Sequence, residues 1–153
     1  MVAEDKRSAR VNFRVIVSRG GGVDDSMNDG LLGDPGVVTA GSDLSLEDLL
    51  AHAKARYRRM PCCVVEDWII FDVVVTEDEV AKVHAAGCLP MIMYAHNVRH
   101  DENRRFEPGS WVRSTIAAKL DEGFLFVTRN TVYVLKGSGH RKSASLKAIY
   151  AIH

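Results

Sequence analysis

VVEDWIIFDVVV, residues 64–75, is the most β-prone run in the chain. Val, Ile, Phe and Trp fill it almost without interruption, so the in-out alternation of a strand wet on one side is missing. The run therefore predicts a central strand covered on both faces. Thr76 follows at once, with Glu79 at capping-box spacing, and Glu77, Asp78 and Glu79 would face the positive end of a helix dipole. Gly87 is the natural stop for that helix. Upstream, Ser45 and Asp48 share the same capping spacing, and Leu46, Leu49, Leu50, Ala53 and Tyr57 form one stripe of a helix that runs to about Arg59 and ends before Pro61.

Further out, residues 11–18 (VNFRVIVS) alternate and predict a strand. Residues 19–41 are rich in Gly and Asp and predict a long mobile loop. Downstream, 91–95 reads as a short strand and 96–108 as a charged loop. Four β-type segments close the chain, at 111–120, 123–128, 131–136 and 144–152. Asp121-Glu122-Gly123, Arg129-Asn130 and Gly137-Ser138-Gly139-His140 join them, turn chemistry that suits antiparallel neighbours. The expected architecture is α+β, a single domain over 1–153: two helices packed on a mainly antiparallel sheet with a C-terminal four-stranded meander over 109–153.

Composition bounds function. At 153 residues the chain can bury roughly 70% of its unfolded surface without a disulfide or metal. Apolar residues at 46% and charged ones at 26% are ordinary for globular domains and argue against wholesale disorder. Cys62, Cys63 and Cys88 are odd in number and two are adjacent, which predicts free thiols in a reducing cytoplasm rather than a disulfide framework. The charged N-terminus lacks a signal-peptide core, and no run reaches membrane-spanning length. Zero net charge argues against bulk attraction to nucleic acid and against a uniformly acidic mimic. The halves differ, however: residues 1–80 carry 15 acidic and 9 basic side chains, residues 81–153 carry 5 and 11. That polarity favours oriented docking, although solvated charge on strand surfaces explains it equally well.

Motifs for catalysis are weak. His96 and His100 are four apart with Asp101 and Glu102 adjacent, but the segment has no helical stripe and no second ligand pair, so a solvated loop is the better reading and no metal is expected. Gly137 to Lys142 (GSGHRK) offers amides and cations to a phosphate, yet lacks the strand-to-helix setting of phosphate loops and reads as a hairpin turn. Cys62 and Cys63 stand in apolar context, and neither GxSxG nor HExxH occurs. No cofactor and no catalytic residue is expected. Trp111, Phe124, Phe126, Tyr133 and Tyr150 interleave with Arg113, Arg129, Lys136, Arg141 and Lys147, a pattern of single-strand stacking surfaces and, more simply, of a sheet with an aromatic core face and a cationic solvent face. Residues 144–152 read as a terminal edge strand whose Leu146, Ala148, Ile149, Tyr150 and Ile152 would pair with a second copy.

The stretch GSWVRSTIAAKLDEGFLFVTRNTVYVLKGSGHRK, residues 109–142, resembles a C-terminal β-rich domain of unknown function from small proteins of bacteriophages and mobile elements. The whole chain, by length and acidic N-terminal half, also resembles phage inhibitors of type I-F CRISPR-Cas, the anti-CRISPR proteins. That resemblance implies a non-catalytic inhibitor, often homodimeric, in the cytoplasm of the infected bacterial host. Such a protein docks on the crRNA-guided surveillance complex or its helicase-nuclease and blocks target DNA cleavage, without a need for direct nucleic-acid binding. Candidate partner contacts are the acidic loop at Asp24, Asp25, Asp29 and Asp34 and the basic loop at Arg99, Arg104 and Arg105. Two other functions fit the residues: a nucleic-acid-binding accessory protein using the basic C-terminal half, and a small metal-dependent or Cys/His hydrolase.

Overall fold

The computed structural model describes residues 16–17 and 36–152. Among the described residues nine strands and three short helices follow one another as β1 (Ile16–Val17), β2 (Val37–Ala40), α1 (Leu46–Arg56), β3 (Cys62–Val75), α2 (Glu77–Ala85), β4 (Met91–Asp101), β5 (Val112–Arg113), β6 (Lys119–Asp121), β7 (Leu125–Val127), β8 (Val132–Leu135), β9 (Ser138–Ala144) and α3 (Leu146–Tyr150). The expected two helices on a mainly antiparallel sheet are replaced by a curled mixed sheet built around β3.

One edge of β3 pairs antiparallel with β4. Its other edge is shared, the first half pairing parallel with β8 and the second half parallel with β9. β1 pairs parallel with Val74 and Val75 at the end of β3. β2 lies antiparallel to β9. Segment 112–121 spans the remaining gap, since β5 pairs with β4, β6 with β7, and β7 with β8. The sheet thus curls back on itself as a barrel-like ring. Its interior holds Cys63, Val65, Trp68, Ile70, Met91, Met93, Ala95, Phe126, Tyr133 and Leu135. Val65 and Trp68 reach the same interior three residues apart because Asp67 sits at φ 52° and breaks the alternation.

Two outer patches explain why residues 64–75 are apolar on both sides. Leu49 and Ala53 of α1 cover Cys62, Val64, Leu125, Val132 and Val134. Ala148 and Ile149 of α3 cover Phe71, Val73 and Ile92. The two capped helices form as expected: Ser45 accepts from the Asp48 amide, and Thr76 and Glu79 complete a reciprocal capping box. α2 contributes no buried residue.

Five local expectations are corrected. Of the supposed edge strand 144–152, Ala144 ends β9 and Leu146–Tyr150 form a capped helix, because Ser145 accepts from the Ala148 amide and Ala148 and Ile149, followed by Ile152, pack against the sheet. The charged stretch after residue 95 continues β4 to Asp101, its exposed side chains being the outer face of a paired strand. The meander is only three strands, β6 to β8, and within the supposed loop 19–41 residues 37–40 are β2. Finally, the Gly-rich stretch after Leu135 is no hairpin but the kink that carries β8 into β9 along the same edge of β3.

Gly139 has a specific reason to be glycine. A Cβ there would overlap the Trp68 indole, whose Nε1 donates to the carbonyls of Lys136 and Gly137 at 3.3 Å each. Gly139→Ala is therefore expected to lower stability by about 1–3 kcal/mol through overpacking. A urea titration checks it, and adding Trp68→Leu should make the alanine nearly neutral.

Candidate functional site

On the outer face of β4, Tyr94 pairs in register with Arg113 of β5. Trp111, just before β5, stacks on the Tyr94 ring with centroids 5.6 Å apart and planes 23° from parallel. His96 meets the same ring edge-on at 5.0 Å. The Arg113 guanidinium lies 6.0 Å from the Trp111 ring centre and 5.0 Å from that of Tyr150, and it donates to the Ile152 carbonyl at 3.1 Å. Arg113 thus ties the C-terminal end of α3 to the sheet, where a cation also complements the helix carbonyls. Tyr94 itself is buried, which raises its hydroxyl pKa. Trp111, Leu146 and Tyr150 stay 43%, 45% and 49% exposed. Trp111 and Tyr150 thus meet on one guanidinium, and Leu146 stands one helical turn before Tyr150 on α3.

A second set of groups gathers at the end of the barrel where β3 begins. The α1–β3 turn carries Arg58 and Arg59, the end of β4 and its following loop carry Arg99, Arg104 and Arg105, and the β7–β8 turn carries Arg129. Asp101 is buried there and accepts from the backbone amides of Arg105 and Phe106 and from the Arg105 side chain. Burial alone would raise the Asp101 pKa, but Arg105 and the two amides outweigh it and hold the carboxyl below its usual range.

Along the flank of α1, Arg56 and the Tyr57 hydroxyl both bond Asp121, and His52 meets Glu122 at 3.0 Å. Burial opposes ionisation of Asp121, yet these two donors keep its pKa low. The cysteines of β3 are unlike activated nucleophiles: burial pushes the Cys62 thiol up to about 11 and the Cys63 thiol up to about 12, so both stay protonated at neutral pH. Among the described residues, no three His, Cys, Asp or Glu side chains are grouped to hold a metal ion. None of the described helices is long and apolar enough to cross a membrane.

The sequence-derived contacts fare unevenly. Asp24, Asp25, Asp29 and Asp34 lie outside the described residues. Arg99 and Arg104 are exposed at the barrel end, whereas the Arg105 guanidinium is engaged by Asp101 and Thr131. Ala148, Ile149 and Ile152 are buried inside the protomer under α3, so of the supposed pairing strand only Leu146 and Tyr150 face outward. The sequence pattern places Trp111 on a core face and carries no signal that singles out Arg58 and Arg59. Phe126 and Tyr133 do enter the interior, but Trp111 precedes its strand and turns outward.

The fold and its surface define a small curled-sheet domain carrying an exposed aromatic patch and a separate arginine-bearing end. The chain belongs to the DUF6957 family, a domain of unknown function, whose family model matches residues 39–151. That span runs from β2 to the C-cap of α3. No curated protein and no solved structure matches the chain.

Proposed function

We propose that this chain acts by binding another protein rather than by turning over a substrate, with Trp111, Arg113, Leu146 and Tyr150 as the contact. The observation that carries the reading is the pair of half-exposed aromatic rings, Trp111 and Tyr150, that both lie against one fixed guanidinium, with exposed Leu146 one helical turn before Tyr150. Trp, Tyr and Arg are the residue types that dominate binding energy at protein interfaces. Arg113 is already held by the end of α3, so little side-chain freedom is lost on docking. Protonated Cys62 and Cys63 also favour binding over thiol chemistry.

Co-purification from the native host with tagged wild-type chain and with Trp111→Ala/Tyr150→Ala tests this. The double variant is expected to keep its fold and to weaken capture at least about 30-fold, the effect of losing ~2 kcal/mol at an interface centre. Equal capture by both chains would reject the patch. The resemblance to type I-F inhibitors names a first purified partner, the crRNA-guided surveillance complex, for which the reading expects stoichiometric inhibition of target cleavage that Trp111→Ala relieves. Light scattering would show whether a second copy of the chain occupies the patch instead.

A further inference from the structure

We propose that the barrel end at the start of β3 binds the phosphodiester backbone of nucleic acid. Three pairings bring its loops together: Cys62 with Val132, Cys63 with Asp101, and the Val132 amide with the Pro61 carbonyl at 3.0 Å. The Glu102 amide adds a bond to the Cys62 carbonyl at 3.0 Å, and Arg105 bridges the β4 end to Thr131 of the β7–β8 turn at 3.0 Å. Arg58, Arg59, Arg99, Arg104 and Arg129 project from these joined loops, all exposed. Among the described residues none of the five guanidiniums has a carboxylate or hydrogen-bond partner, whereas Arg105 beside them is paired with Asp101, and Arg56 and Arg141 elsewhere with Asp121 and Asp72. Nearby carboxylates are Asp101, buried and engaged by Arg105, Glu102, exposed and paired with Lys54, and Glu107, exposed on the loop.

Like charges are costly to gather unless an anion neutralises them, and a guanidinium fork matches phosphate oxygens bidentately. An acidic protein partner is the competing occupant. Protein interfaces need an apolar centre, and none of the large exposed apolar side chains, Val37, Val38, Leu44, Trp111, Leu146 and Tyr150, stands on these loops. Backbone phosphates need no such centre. Zero net charge is no obstacle, because the cations are gathered locally on one end.

Fluorescence anisotropy with a labelled 20-nucleotide mixed-sequence DNA, single-stranded and as duplex, tests the proposal on the full chain. Binding is expected at low salt, with log affinity against log salt falling at a slope of about −4.5 for duplex and somewhat less for the single strand. Each Arg→Ser change among the five is expected to reduce that slope by about 1, and replacing all five by Ser to abolish binding, while the Lys versions retain the slope. Trp111→Ala should leave DNA affinity unchanged, which separates this site from the protein-binding patch. The inference is overturned if no DNA binds at low salt, if the five-Ser chain, still folded by circular dichroism, binds equally well, or if polyglutamate displaces DNA as effectively as unlabelled DNA does.

Discussion

Trp68→Ala is expected to cost about 3–5 kcal/mol of folding stability, enough to unfold a marginal domain at room temperature. Trp68 is the largest fully buried side chain in the ring, and three elements meet on it. Its indole fills the interior between β3 and β4, covers Gly139 where β9 begins and Gly41 after β2, and satisfies the carbonyls of Lys136 and Gly137 at the kink. Alanine removes the packing and leaves both carbonyls without that donor. Urea unfolding measures the loss directly. Trp111→Ala is the matched control, since that half-exposed ring lies outside the core and its removal should change stability by little.

A second large effect belongs to Asp101. Asp101→Ala should cost about 3–5 kcal/mol, because Arg105 and two amides would be left around a site whose only anion is gone. The same group predicts an acid limit. Its folded pKa is lowered, so its contribution is fully present above the unfolded carboxylate value near ~4 and is lost as pH falls through the lower folded value. Asp121 acts in the same direction. Urea midpoints measured from pH 7 downward should stay flat to about pH 5 and then drop. In Asp101→Asn the drop should be shallower from a lower starting stability, and an unaltered profile would show that Asp101 contributes nothing.

Legibility of the sequence followed the range of the interactions involved. Capping signals act within four residues, so both long helices could be read from Ser45–Asp48 and Thr76–Glu79. The nearly continuous apolar run of β3, broken only by Glu66, Asp67 and Asp72, announced cover on both faces, which α1 and α3 supply from outside the ring. What escaped was set by distant partners. Residues 144–152 are apolar enough for a strand, and only the sheet face offered by Phe71, Val73 and Ile92 selects the helical stripe. Arg141 would read as solvent cation, yet it meets buried Asp72 across β9 and β3 at 2.8 Å. The two surfaces were less visible still. Trp111 and Tyr150 are 39 residues apart by number and meet only through Arg113, and the arginines of the barrel end come from segments that the ring alone assembles.

Photo-crosslinking in the host reads protein contact at the aromatic patch most directly. A photoreactive amino acid at position 146 should yield a discrete protein adduct that disappears when Trp111→Ser is added, while the same group at position 82 on α2 yields none. Adducts of equal strength from position 82, or none from position 146, would contradict it.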